Sequence, residues 1–210
     1  MPEIRRALPR LMVLTDLTRA PLAAIVQRLS TLAQRARPGS VLFTVRDYAF
    51  SSRTRLALAT GIAAAIAGSG QSFGLADRAD LALALGAAAL HLPESGLTVD
   101  DARRLLPPSV LISRACHDLA AARRSRADAL LFSPIMAPRK ERAAWGARGL
   151  AEVCAALADR ASAPAVFALG GVDASNAREC LLAGAAGVAV IGAALEDDAS
   201  PLLRALDIER

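Results

Sequence analysis

The chain has 210 residues, 54% hydrophobic but only 3% aromatic, with a formal charge of +5. No apolar run approaches the roughly 18 residues a membrane-spanning helix needs, and the opening MPEIRRALPR lacks a hydrophobic signal core, so a cytoplasmic protein without a membrane partner is expected. Lys140 is the lone lysine and arginine supplies the rest of the formal positive charge, spread along a chain poor in stacking aromatics, which argues against a nucleic-acid face and favours small anionic partners.

Eight short apolar runs follow in order, at 11–15, 41–46, 72–76, 88–92, 110–115, 129–133, 165–169 and 187–191. They do not alternate polar with apolar residues, as expected of strands covered on both faces. Helical segments lie between them, among them 21–37, 53–68 and 150–159, and strand alternating with helix predicts parallel βα units. A weak repeat joins ADLALALGAAALHL, ARRSRADALLFS and ARECLLAGAAGVAVIG, each a helix end, small residues and a strand. About 25 residues per unit is compact for a barrel. The expected fold is a single (β/α)8 TIM barrel, one domain over residues 1–210. An open doubly wound sheet is the competitor, but the turn after Thr15 has no GxGxxG fingerprint. The polar stretch APRKERAAWGAR, 137–148, is long enough for a mobile loop over the mouth. Cys116, Cys154 and Cys180 are odd in number and lack metal spacing, so reduced thiols are expected.

In such a barrel the working side chains sit at the C-terminal strand ends. Those ends supply Asp16, Arg46 with Asp47, Asp77 with Arg78, His91 and Glu94, Arg114 and His117, then Ser133 with Arg139 and Lys140 in its loop. Structural roles compete: Arg46 and Asp47 pairing with neighbours, Asp77 as a helix N-cap, His91 hydrogen-bonded in the core, His117 beside a cap, Lys140 solvated. Gly170-Gly171 and Gly192-Ala193 end strands seven and eight. Adjacent strands ending in bare backbone can point several N–H groups at one anion, which predicts a phosphate site there.

FTVRD, LADRADLALALGAAALHL, LISRACHDLAAA, SPIMAPRK, ALGGVDASNA and VAVIGAAL, in this order between LMVLTD and the final turn, resemble the thiamine-phosphate synthase and thiazole tautomerase superfamily. The resemblance implies joining of an aminopyrimidine methyl diphosphate to a thiazole phosphate, with release of pyrophosphate. It implies Mg2+ held by carboxylates, and a phosphorylated ligand on the last two turns. Arg46 keeps the basic position after strand two, Asp77 one metal carboxylate, and Gly170, Gly171, Ile191, Gly192 and Ala193 the phosphate cradle. Lys140 serves as the loop lysine if one residue is deleted.

Departures cluster on the diphosphate half. Thr44 stands for the family's Gln, Tyr48 for Lys, Ala76 for Asn, Gly96 for the second metal Asp, Ala115 for Ser and Pro138 for Thr. Pro134 occupies the tautomerase histidine position; His117 or His91, elsewhere at the mouth, is the candidate for proton transfer, with His117 taken forward. The catalytic candidates are therefore Arg46, His117 and Lys140, with Asp77 for Mg2+. A tautomerase-like or non-catalytic phosphate-binding protein is the alternative. A metal-dependent hydrolase would use Asp47, Asp77, His91, Glu94 and His117, although strand one has no His-x-His. A homo-oligomer is compatible with this sequence, which specifies no interface.

Overall fold

The computed structural model describes residues 8–158, 160, 162–196 and 198–210. The predicted ends at the first seven residues and at Asp159 lie outside them. Eight strands, β1 (Leu11–Leu14), β2 (Val41–Val45), β3 (Ser72–Ala76), β4 (Ala89–Leu92), β5 (Leu111–Cys116), β6 (Ala129–Phe132), β7 (Ala165–Leu169) and β8 (Gly187–Val190), pair in parallel as a closed barrel. Closure comes from β1 meeting β8, with Met12 opposite Ala189. The helices are α1 (Leu22–Arg35), α2 (Ser52–Ala65), α3 (Ala79–Ala84), α4 (Val99–Leu105), α5 (Leu119–Arg124), α6 (Gly146–Ala158), α7 (Ala177–Leu182) and α8 (Ser200–Ala205).

Strand burial explains the unbroken apolar runs. Met12, Leu14, Leu42, Ala89, Leu111, Ala129, Leu131, Phe167 and Ala189 form one cluster inside the barrel. Their sequence neighbours Leu11, Val13, Phe43, Leu90, Ile112, Leu130 and Val188 join the second cluster, beneath the helices. Side chains alternate between two apolar layers, so neither face of a strand selects for polarity.

Local sequence sets the helix ends. In α1, Ile25, Leu29, Leu32 and Ala33 are buried, at one-face spacing, while Arg35 sits at the C-terminal end where a cation is favoured. The helix stops two residues before the predicted limit because Ala36 bridges Glu209 and the Arg37 amide donates to the Ile208 carbonyl, which ties the chain end to the barrel's lower rim. Ser51 caps α2, Thr98 caps α4 and Asp118 caps α5, each accepting from an amide three residues on. Asp77 does not cap α3: Arg78 holds that position without a side-chain bond to the helix's first backbone amides, and Asp77 lies at φ 55°. The polar stretch after β6 is a tight turn in which Arg139 and Arg142 exchange backbone hydrogen bonds of 3.1 and 3.0 Å. Trp145, edge-on to Phe132 at 5.2 Å and with its amide donating to the Pro134 carbonyl at 3.0 Å, anchors that turn. Among the described residues no helix is long and apolar enough to cross a membrane.

Candidate functional site

A cavity of about 900 Å³ opens at the C-terminal ends of the strands. Leu14, Ala115, Leu169 and Ala189 give it an apolar floor, and Arg19, Arg46, Arg139, Lys140 and Arg142 give it a basic wall. The same cavity is lined by Gly170, Gly171, Ile191, Gly192 and Ala193. It therefore brings together the predicted phosphate residues, Arg46, His117 and Lys140; Asp77 is not among its lining residues.

The glycine turns are shaped by close packing. Gly170 and Gly171 have φ of 99° and 73°. The Gly170 carbonyl accepts from Met136 at 2.7 Å and from Ala137 at 3.3 Å, so the segment after β6 lies directly on this turn. The amides of Gly170, Gly171, Gly192 and Ala193 donate to no protein acceptor among the described residues. Unpaired backbone donors lining a basic cavity are what an anion needs, since its charge-assisted bonds satisfy them.

Arg46 reaches the mouth from the end of β2, its Nη2 3.8 Å from Asp16 and its guanidinium 5.7 Å from the Tyr48 ring centre. Its Nε is buried and has no hydrogen-bond partner among the described residues. Arg55, buried on α2 and unnoticed in the sequence, lies over the same ring at 5.8 Å and donates to the Ala76 carbonyl. Tyr48 thus faces two guanidinium groups. Burial and the nearby Arg78 lower the Arg55 pKa.

His117 is fixed by Nδ1, 2.8 Å from the Ser133 carbonyl and 3.1 Å from the Ser133 hydroxyl. A carbonyl only accepts, so Nδ1 carries hydrogen and Nε2 is the atom left to take up or release a proton. Nε2 lies 3.7 Å from Glu94, whose same oxygen is 3.2 Å from Arg142.

Other strand-end residues have structural roles. Asp47 is buried and accepts from the Thr15 hydroxyl and, at 2.6 Å, from the Leu17 amide. His91 shares the inward face of β4 with Ala89 and lies 3.0 Å from Ser113. The five-residue metal cluster of the hydrolase alternative is therefore not assembled: among the described residues no three His, Cys, Asp or Glu side chains gather to hold a metal.

The same test applies to Mg2+. Asp77 offers one carboxylate, and a Cβ added to Gly96 would lie 3.2 Å from Asp77 Oδ1, so the second carboxylate that the resemblance implies would fall beside it, where this chain has none. Mg2+ needs near-octahedral oxygen ligation, and the residues present do not fit it as a resident ion. Titration of the unliganded protein with Mn2+, followed by water-proton relaxation, is expected to show no saturable micromolar site; such a site would contradict this assignment.

Burial, aided by Arg46, pushes His91 down to about 4. The unfolded histidine titrates near 6.5. As pH falls from about 6.5 to 4 the unfolded chain binds a proton that the folded chain refuses, so stability falls through that window. Denaturant unfolding at pH 7 and pH 4 is expected to show wild type losing about 3 kcal/mol more than His91→Gln.

Fold and cavity together define a (β/α)8 barrel with a basic mouth and glycine turns at its last two strands. Comparison with known proteins narrows this class. The family model described as thiamine monophosphate synthase matches residues 14–194. The thiamine-phosphate synthase of Albidiferax ferrireducens is 38% identical over 168 residues, covering 77% of this chain and 74% of that one. That of Methanoculleus marisnigri is 36% identical, covering 81% and 82%. The chain belongs to the thiamine monophosphate synthase family. A solved thiamine phosphate pyrophosphorylase from Pyrococcus furiosus superimposes with a TM-score of 0.77 at 23% identity over 98% of both chains, which shows the shared fold.

Proposed function

We propose that this chain is a transferase of the thiamine-phosphate synthase type, a single barrel domain over residues 1–210 that seats a thiazole phosphate in its mouth. The observation that carries the proposal is the set of amides at Gly170, Gly171, Gly192 and Ala193, without acceptors among the described residues, lining the cavity beside Arg46. The phosphate lies on these turns and Ile191, and the ring lies over the apolar floor. In the reaction the bond from the pyrimidine methylene to the diphosphate oxygen breaks. The thiazole nitrogen bonds to that carbon, and pyrophosphate leaves with the electron pair. Arg46 and Lys140 are the cations this chain supplies to the leaving charge. The names of the relatives support the substrate assignment.

The test is turnover of aminopyrimidine methyl diphosphate with thiazole phosphate, read as thiamine phosphate and pyrophosphate. Product is expected, and Arg46→Ala is expected to lower kcat about a hundredfold. Tight binding of thiazole phosphate with no product would overturn the transferase assignment and leave a binding protein.

One observation favours a second reading, proton transfer on the bound thiazole phosphate: His117 is held through Nδ1 with Nε2 left for chemistry beside Glu94. Deuterium exchange from solvent into the bound ligand, lost in His117→Asn, would support it; equal exchange in both proteins would remove it.

A further inference from the structure

Asp16, Arg19 and Gly192 form an arrangement that a purely backbone cradle does not require. The β1–α1 loop is pinned twice. Asp47 holds Thr15 and the Leu17 amide. Asp16 accepts from the Thr18 amide at 3.1 Å and from its hydroxyl at 2.5 Å, while its own carbonyl accepts from the Arg19 amide at 3.1 Å. Arg19 therefore leaves a fixed turn. Its Nε faces Asp16 at 3.4 Å, which directs the rest of the guanidinium across the barrel top to β8.

There Nη1 lies 2.9 Å, and Cζ 3.3 Å, from where a Cβ on Gly192 would stand. Any side chain at 192 would displace the guanidinium, so the small residue makes room for the arginine as well as for a ligand. The Gly192 and Ala193 amides beside it have no protein acceptor among the described residues. Glu196, three residues beyond Ala193, also lines the cavity, so an anion at this turn faces a carboxylate that backbone amides alone would have to outweigh. Asp16 is shared with Arg46, 3.8 Å away, and so sets two guanidinium groups on one cavity wall.

We propose that Arg19 is the charged ligand of the phosphate at the β7 and β8 turns, selecting phosphate monoesters over the corresponding alcohol. This rests on the thiazole phosphate assignment for the ester's identity, but not for the anion site. A guanidinium presents two N–H groups in a fork to a phosphate, which lysine does not.

Calorimetric titration tests it with inorganic phosphate, thiazole phosphate and the unphosphorylated thiazole alcohol. The proteins are wild type, Arg19→Met, Arg19→Lys and, as a control for net charge, the exposed Arg123→Met. Arg19→Met is expected to weaken both phosphate ligands by about tenfold to a hundredfold and to leave the alcohol unchanged. Arg19→Lys should recover part of the loss, and Arg123→Met should match wild type. Arg19→Met equal to Arg123→Met, or an equal loss for alcohol and ester, overturns the proposal. If inorganic phosphate binds in an Arg19-dependent way but thiazole phosphate does not bind, the ligand assignment fails while Arg19 stands. If wild type binds no phosphate at all, both fail.

Discussion

Gly171→Ala is expected to cost about 2–4 kcal/mol of stability and to abolish binding of a phosphate ligand. Two effects add. At φ 73° an L-residue costs about 1–2 kcal/mol. The added Cβ would also lie 2.6 Å from the Ala137 amide nitrogen and 3.0 Å from the Met136 carbonyl carbon, atoms that cannot rotate away. Either the turn or the segment after β6 must move, and both line the cavity. Gly39→Ala separates the effects, because Gly39 has φ 75° with nothing within 4 Å of its added Cβ. That variant should lose only the backbone contribution and keep ligand affinity. Thermal unfolding and calorimetry read both quantities. Equal losses in the two variants would mean that the Gly171 turn is not packed as described.

Asp47→Ala is expected to destabilise by about 2–4 kcal/mol and to weaken phosphate binding although Asp47 does not line the cavity. Its carboxylate is the acceptor for the Thr15 hydroxyl and the Leu17 amide in a buried position. Removing it leaves donors without partners, each costing about 1–3 kcal/mol. It also frees the loop that presents Asp16 and Arg19. Asp47→Asn retains one acceptor oxygen and should fall between Ala and wild type on both measurements. If Asp47→Ala binds phosphate like wild type, the loop does not position the site.

The barrel was legible because its strands are buried on both faces. Runs such as LMVL and GVAV have one reading, and the structure places every strand within a residue or so of the predicted bounds. The His117–Asp118 boundary was legible too, since Asp118 caps α5. Asp77 was not, because a cap and a left-handed turn residue use the same residue types; the backbone at 55° decides between them. His91 was legible as a hydrogen-bonded core residue: it shares strand parity with Ala89, points into the barrel and lies 3.0 Å from Ser113. Arg19 escaped notice because the first charged residue after β1, Asp16, closes the strand-end reading three residues too soon. Arg55 lies on a helix, and nothing in SRTRLALATG marks its guanidinium as the one that turns inward to Ala76. Long side chains report their targets only after the fold has set the distances.

The central claim is that the β7 and β8 turns hold a phosphate. An amide-resolved NMR titration with thiazole phosphate tests it most directly, because the claim names four N–H groups that lack acceptors among the described residues. The account predicts saturable downfield shifts of the Gly170, Gly171, Gly192 and Ala193 amides, weakened in Arg19→Met. Saturable binding that leaves those four amides unmoved would contradict it.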